Sequence, residues 1–102
     1  MSKKVRLSGP TLQVLRLFMS DTVQARSGAE IHLATNIGSG TLYPLLLRLE
    51  EAGWLSSEWE TTDPSREGRP RRRYYLITGE GQRAARAALE PLQWVGSPAW
   101  QI

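Results

Sequence analysis

The chain has 102 residues, 40% hydrophobic and 23% charged, which suits one domain with a modest core and excludes a disordered chain. No apolar run approaches the roughly 18 to 20 residues of a spanning helix, which excludes a membrane protein of that kind. Cysteine is absent, which excludes disulfides and cysteine-based metal sites. No secretory signal pattern follows the basic N-terminus, so we expect a cytoplasmic location.

The positive charge is concentrated in one segment. The formal net charge is +3 and the pI is about 9.8, values that are compatible with a nucleic-acid partner. Residues 61–73 contain five arginines and two acidic residues, Asp63 and Glu67. The net charge of this segment alone therefore equals the net charge of the whole chain. A second basic cluster contains Lys3, Lys4 and Arg6. Because charge runs are usually only solvated surface, their location in the fold carries the argument.

The first predicted helix covers residues 10–20. Pro10 suits a first helical turn, where its missing N–H is not needed. Apolar residues at helical spacing then form one stripe, made of Leu12, Leu15, Phe18 and Met19. Val14 and Leu17 widen this stripe beyond what one small core needs, so we expect part of it to contact a second subunit.

The second and third predicted helices form a helix-turn-helix. Ser27 and Glu30 have the spacing of a capping box and begin the second helix, which ends before Asn36. A tight turn containing Gly38 and Gly40 leads into the third helix, over residues 39–52. Its buried stripe is predicted to consist of Leu42, Leu45, Leu46 and Leu49.

The outer face of the third helix has the side chains that DNA reading needs. Ser39, Thr41 and Tyr43 offer hydroxyl groups near the helix N-terminus, which also presents unpaired N–H groups to a phosphate. Arg48 lies two turns later on the same face as Thr41. Pro44 breaks a local rule, because it removes a hydrogen bond just past the first turn. An ordinary amphipathic helix explains this face in isolation, but its place before an arginine-rich hairpin favours DNA binding.

Two predicted strands, 55–60 and 72–77, flank a loop and form a hairpin with an exposed, arginine-rich tip. A hairpin directly after a helix-turn-helix is a wing. We predict that Arg69 enters a narrow minor groove, with Pro70 stiffening the tip beside it. Phosphate contacts are predicted for Arg66, Arg71 and Arg72. The alternative is that these cations only protect the hairpin edge from strand pairing.

The last predicted helix begins after Thr78 and covers residues 79–90, where Pro91 bends or ends it. We place the domain at residues 1–92, with this helix over about 78–92, and a tail at 93–102. The helix is rich in alanine, which permits close approach of a partner. The residues predicted to form a homodimer interface are Leu12, Leu15, Phe18, Ala85, Ala88 and Leu92.

The four tryptophans form two pairs along the chain. Trp54 and Trp59 are predicted to pack in the core between wing and helices. Trp94 and Trp100 lie in or near the tail, where core or dimer contact competes with an apolar-molecule site at a dimer interface. The residues do not specify the identity of such an effector.

Catalytic chemistry finds no supporting constellation. His32 is the only histidine and has no metal-ligand spacing near it. The serines have no companion His/Asp arrangement, and the glycines at 38 and 40 follow a helix rather than a strand. The adjacent Glu50 and Glu51 indicate a solvated helix end. We therefore predict no enzyme, no metal and no cofactor.

Two motifs resemble the PadR family of bacterial transcription regulators, over a match that runs from about Leu7 to Leu92. The first is Gly40-Thr41-Leu42-Tyr43-Pro44-Leu45-Leu46-x-Arg48-Leu49-Glu50-x-Ala52-Gly53-Trp54-Leu55. The second is Gly68-Arg69-Pro70-Arg71-Arg72-Arg73-Tyr74-Tyr75-Leu76-Ile77-Thr78-Gly79-Glu80-Gly81. The resemblance implies winged-helix homodimers that usually repress transcription, some of them released from DNA by small molecules. It accounts for Pro44 and implies DNA contact for Ser39, Thr41, Tyr43 and the tip at Arg69 and Pro70.

The chain departs from the family pattern in places. Ala29 follows Gly28 where relatives have Gly-Tyr, and Leu76 stands where they mostly have a polar residue. The C-terminal region is short, with one helix in place of a long coiled domain. These departures bear on the dimer interface and on any effector pocket.

The sequence therefore predicts a mainly α fold with a small β-hairpin: a winged helix-turn-helix with a C-terminal dimerisation helix. The predicted function is sequence-specific regulation, by repression, through a palindromic operator in double-stranded DNA. The third helix enters the major groove and the wing enters the minor groove. The alternative is a dimeric winged-helix interaction module whose basic wing binds an acidic protein partner.

Overall fold

The computed structural model describes the backbone of residues 5–96 and the side chains of residues 5–90. The basic cluster at Lys3 and Lys4 and the tail from residue 97 onward, with Trp100, lie outside the described residues, as do the side chains of Leu92 and Trp94. The elements in chain order are α1 (Gly9–Ser20), β1 (Arg26–Ser27), α2 (Gly28–Thr35), α3 (Ser39–Glu51), β2 (Leu55–Trp59), α4 (Pro64–Glu67), β3 (Arg73–Ile77) and α5 (Gly79–Gly96).

The predicted start of the second helix is confirmed by its capping hydrogen bonds. Ser27 Oγ accepts from the backbone N–H of Glu30 at 3.1 Å, and the Glu30 carboxylate accepts from the backbone N–H of Ser27 at 2.9 Å, which completes the capping box. α2 ends at Asn36, which adopts a left-handed conformation with φ 59° and donates its N–H to the His32 carbonyl. The capping box begins α2, and the left-handed Asn36 opens the tight turn into α3, so the helix-turn-helix forms where the sequence placed it.

The wing belongs to a three-stranded antiparallel sheet in the order β1-β3-β2. β2 pairs with β3 from Leu55 opposite Ile77 at the base to Trp59 opposite Arg73 at the outer end. The two-residue β1 pairs with β3 on its other side and was not predicted, because two residues carry no alternating pattern. The predicted strands were each one residue too long, and the predicted loop contains the one-turn helix α4, capped by Asp63.

The core lies between the helices and the base of the sheet. Its largest fully buried side chains come from α1, α2, α3 and β2 and are Phe18, Leu15, Ile31, Leu42, Leu46, Leu49 and Leu55. The four leucines predicted as the buried stripe of α3 are all buried. Trp54 packs against this core, whereas Trp59 is 59% exposed, so the prediction that both tryptophans are core residues was wrong for Trp59.

The packing of α5 on α1 corrects two expectations. Leu15, Phe18 and Ala85, which we expected to meet a second subunit, are completely buried within the single chain, where α1 packs against α5, α2 and β3. α5 also continues through Pro91 to Gly96, four residues past the predicted boundary at 92. One proline removes one hydrogen bond from a helix, and the bonds on either side of it suffice to carry α5 onward. Within the described residues, no helix is long and apolar enough to span a membrane.

Candidate nucleic-acid interface

The exposed face of α3 carries the side chains that the sequence assigned to DNA reading. Ser39, Thr41, Tyr43 and Arg48 are all exposed, and the buried leucines occupy the opposite face. Gly38 is the N-cap and makes no side-chain capping bond, and the N–H groups of Thr41 and Leu42 donate to its carbonyl, which leaves the N–H groups of Ser39 and Gly40 for a ligand. The structure therefore presents hydroxyl groups and helix N–H groups together at one end of the helix.

Tyr43 rests on Gly28, the first residue of α2. A Cβ atom at Gly28 would lie 2.7 Å from Tyr43 Cε1 and 2.8 Å from Tyr43 Oη, distances that real Cβ atoms do not show. The Tyr43 ring is thus supported by the backbone of α2 while it stays 47% exposed. Sequence reasoning missed this role for Gly28. A glycine at the first helical position, where no turn requires one, was the available signal.

The wing tip holds Arg69 in an internal ion pair. Its guanidinium donates to the two Glu60 carboxylate oxygens at 2.7 and 3.2 Å, and Glu60 also accepts from the backbone N–H of Arg72 at 3.2 Å. The hydrogen bond from Arg69 is the main cause that lowers the pKa of Glu60 from 4.5 to about 2. The sequence placed this guanidinium on an exposed hairpin tip, and the structure pairs it there with Glu60, the residue that follows β2.

The other wing cations are more exposed. Arg66 lies on α4, and Pro70, Arg71 and Arg72 follow Arg69 at the tip. Arg71 Nε donates to the Thr62 carbonyl at 2.9 Å, which ties its base to the far side of the hairpin. These residues place positive charge on the outside of the wing.

A cleft of about 380 Å³ separates the wing from α2 and α3. Tyr43 lines it on the helical side, and Trp59, Arg71 and Arg72 line it on the wing side. The exposed end of α3 and the arginine-rich wing therefore border one cleft and lie on the same side of the molecule. This common orientation is what simultaneous contact with two grooves of a duplex requires.

The remaining candidate residues lie on α1, α2 and α5. Leu12 and Ala88 are half-buried at the α1–α5 side of the molecule, where Leu15, Phe18 and Ala85 are core residues. The Nδ1 atom of His32 lies 2.6 Å from the Ile37 carbonyl, in the turn between α2 and α3. Among the described residues, no group of three or more His, Asp or Glu side chains is placed to hold a metal ion.

A family model for the "Transcriptional regulator PadR-like family" matches residues 19–87, which cover the helix-turn-helix, the wing and the first half of α5. The chain belongs to the PadR-like family of transcriptional regulators. As a member of this family the chain is a transcriptional regulator, and the family consists of regulators rather than enzymes. Among curated protein sequences, none is significantly similar to it.

Solved structures share the PadR-like fold. A PadR-family transcriptional regulator from Eggerthella lenta is 26% identical, with a TM-score of 0.67 over 90% of this chain and 82% of that one. AbfR from Staphylococcus epidermidis, in a disulfide form, is 22% identical with a TM-score of 0.71, over 93% of this chain and 64% of that one. MepR from S. aureus, in a DNA-binding conformation, is 14% identical with a TM-score of 0.68, over 94% and 66%.

The chain thus spans about two thirds of the AbfR and MepR chains that it matches. These two likenesses show the fold alone. The disulfide belongs to AbfR, since the present chain has no cysteine.

Proposed function

We propose that this PadR-like chain is a cytoplasmic repressor that binds a palindromic operator as a homodimer, with α3 in the major groove and the wing in the minor groove. The observation that carries the proposal is the common orientation of α3 and the wing around one cleft. Repression is proposed because the regulators that its two motifs resemble usually repress.

The outer face of α3 fits a major groove in composition. Thr41 and Tyr43 carry hydroxyl groups that can donate to and accept from base edges, and Arg48 extends the same face toward the helix C-terminus. The outward N–H groups at Ser39 suit a backbone phosphate. Gly28 supports Tyr43 from behind, which fixes the ring before DNA arrives.

The wing is proposed to bind through two kinds of arginine. Arg66, Arg71 and Arg72 are exposed and would bind phosphates, which carry no sequence information but fix the position of the protein. Arg69, with Pro70 beside it, would enter the minor groove by exchanging Glu60 for the negative potential of a narrow, A·T-rich groove. Because Arg69 must leave Glu60 to enter the groove, its binding would favour sequences whose minor groove has the most negative potential.

The dimer is proposed to form along the α1–α5 side. The half-buried Leu12 and Ala88 lie there, beside a shallow surface that includes Met19 and Leu89. A second copy would cover these apolar atoms and place the two α3 helices about 34 Å apart, one turn of DNA. Leu92 is included as a dimer residue on sequence grounds alone.

Selection of bound sequences from a random duplex pool tests this function. We expect a palindromic consensus, because a two-fold dimer reads two half-sites. We also expect log affinity to fall with log salt at a slope of several units, because phosphate binding releases counterions. A pool without enrichment and a flat salt response would reject DNA binding and favour the alternative, in which the basic wing binds an acidic protein partner.

A further inference from the structure

The inner face of the wing changes character from its base to its tip. Leu55 and Ile77 pair at the base and are 2% and 3% exposed, so the core holds this end. Trp59 and Arg73 pair at the outer end, where Trp59 is 59% exposed. The cleft in front of Tyr43 separates this outer end from the N-terminal half of α3. Apolar packing therefore fixes the base of the wing but not the direction of its outer half.

A polar cluster joins the outer half of the wing to α3. Glu50, in the last turn of α3, accepts from Ser57 Oγ at 2.5 Å and from Arg73 Nη2 at 3.0 and 3.1 Å. Arg73 Nε also donates to Ser57 Oγ at 2.9 Å. The Glu50 cluster, meaning Glu50, Ser57 and Arg73, thus links one helix to both long strands through three hydrogen bonds, and a fourth joins the two strands.

The guanidinium of Arg73 also contacts two aromatic rings. Its guanidinium carbon lies 5.4 Å from the centroid of the Trp59 ring and 5.9 Å from that of Tyr75, within the range of cation–π contact. Four hydrogen-bonding and stacking partners leave this arginine committed to the protein, unlike the exposed Arg71 and Arg72. Arg73 therefore connects α3 to the wing rather than serving as a phosphate contact.

We propose that Glu50, Ser57 and Arg73 are positioning residues that fix the angle between α3 and the wing, and thereby determine which operator sequences satisfy both at once. The inference rests on the proposed DNA-binding function. A duplex with a given groove spacing accepts only one direction of the wing once α3 is seated. A wing released from α3 still carries its cations, so it binds phosphates as before but discriminates less between sequences.

Stability is not the main effect of the cluster. Side chains of Arg73 and Glu50 are 38% and 27% exposed, and ion pairs near the surface contribute little to stability. What the planar guanidinium adds is direction, because its Nη2 binds Glu50 while its Nε binds Ser57, and two nitrogens of one rigid plane define one geometry. Lysine keeps the charge but has neither the planar fork nor the same stacking, so Arg73→Lys separates geometry from charge.

The test compares Glu50→Gln with the matched control Glu58→Gln. Both remove one negative charge near the wing, but Glu58 is exposed and lies outside the cluster, on the other face of β2. The probes are the duplex enriched from the random pool and a random-sequence duplex of equal length. We expect Glu50→Gln, and likewise Arg73→Lys, to reduce the preference for the enriched duplex by about three- to ten-fold. Glu58→Gln should leave the preference unchanged, and the salt slope of Arg73→Lys should equal that of the parent chain.

Equal behaviour of Glu50→Gln and Glu58→Gln would overturn the proposal. So would full retention of affinity and preference by Arg73→Lys, because that result makes Arg73 a simple phosphate contact. If Glu50→Gln does not fold, Ser57→Ala takes its place, since it removes two bonds of the cluster without a charge change.

Amide hydrogen exchange tests the cluster without DNA. We expect Glu50→Gln to speed exchange at the outer end of the wing, where the N–H of Glu60 bonds the carbonyl of Arg72 at 2.8 Å, and not at Leu55. Unchanged exchange there would reject the cluster as a fastener. Failure of the parent chain to bind any duplex would instead reject the proposed function, so the two failures are distinguishable.

Discussion

Tyr43 reaches the exposed face of α3 in one orientation because Gly28 has no side chain behind it. At the tip of the wing, Glu60 similarly decides where Arg69 lies, through two hydrogen bonds to its guanidinium. Single residues thus set the starting positions of the groups that we propose to contact DNA. The predictions at this scale concern those groups directly.

Thr41→Ala and Tyr43→Ala are expected to weaken binding to the enriched duplex by on the order of 1–3 kcal/mol each, if each side chain contacts a base. Both residues are exposed on α3, so the unfolding free energy should change little. Fluorescence anisotropy with a labelled duplex measures the affinity, and urea unfolding measures the stability. Unchanged affinity in both variants would move the reading surface away from α3.

The arginines of the wing should leave different marks. Arg71→Ala or Arg72→Ala should weaken binding to all sequences alike and reduce the salt slope by about one unit for each lost phosphate contact. Arg69→Ala should weaken binding most on duplexes with A·T-rich flanks, where the minor groove is narrow. Affinity against salt on two flanking sequences measures both effects. If the wing only protects the hairpin edge, all three variants would keep their affinity and aggregate instead.

Glu60 should titrate far below an ordinary glutamate. Its pKa in the folded chain is about 2, against 4.5 without its partners, because Arg69 donates to its carboxylate. A lowered folded pKa means that this contact stabilises the fold above pH 4.5 and that the stabilisation is lost as the pH falls through about 2. The carboxyl resonance of Glu60 should therefore stay that of the ionised form at about pH 4, where ordinary glutamates are half protonated.

Arg69→Gln provides the control for that titration. It removes the guanidinium, so the midpoint of Glu60 should rise toward the ordinary value. A midpoint near 4.5 in the parent chain would show that Arg69 and Glu60 are not paired in solution.

At the scale of elements, the start of α5 depends on a close approach to the turn before β2. A Cβ atom at Gly81 would lie 2.1 Å from the Trp54 carbonyl oxygen and 2.9 Å from Ile77 Cγ1. Thr78 reinforces this contact, because its hydroxyl donates to the carbonyls of Gly53 and Trp54 at 2.6 and 3.1 Å. α5 can pack on α1 only if the start of α5 lies this close to the turn at Trp54.

Gly81→Ala is accordingly expected to destabilise the fold by about 1–3 kcal/mol or more, because the backbone of Trp54 cannot yield as a flexible side chain would. Gly79→Ala is the matched control, since a Cβ there meets only Arg83 Nη1, at 3.6 Å. Urea unfolding of both variants measures the difference. Equal stabilities would mean that α5 does not pack against the Trp54 turn in solution.

For the whole molecule, the question is what covers the α1–α5 side. The buried Leu15, Phe18 and Ala85 belong to the core of one chain, which leaves Leu12 and Ala88 as the described residues of the proposed interface. An interface of this kind would have to extend along α5 toward Gly96, because a few half-buried side chains are not sufficient for a stable dimer.

Sedimentation at micromolar concentration should give twice the 11.5 kDa mass of one chain. Ala88→Glu should shift the population toward monomer, because a carboxylate would lie in an apolar contact. Ala25→Glu is the control, since Ala25 is exposed in the loop between α1 and β1. A stable monomer with and without DNA would contradict the homodimer.

The sequence by itself determined the elements whose signals are local. The capping box at Ser27, the leucine stripe of α3 and the alternating strands of the wing depend on neighbours within a few positions, so a pattern reveals them. The family followed from motifs in the same segments. These signals were enough to place Ser39, Thr41, Tyr43 and the wing residues Arg66, Arg71 and Arg72 on exposed positions.

Only the tertiary structure decided what depends on residues distant in the chain. Burial of Leu15 and Phe18 was settled by the packing of α1 against α2, β3 and α5, the last of which comes from the other end of the sequence. The two-residue β1 exists only because β3 offers it a hydrogen-bonding edge. The partners of Arg69 and Arg73 lie 9 and 23 positions away, at Glu60 and Glu50. Charge alone made these arginines look alike, and the position of one carboxylate beside each decides which cations face outward and which hold the wing.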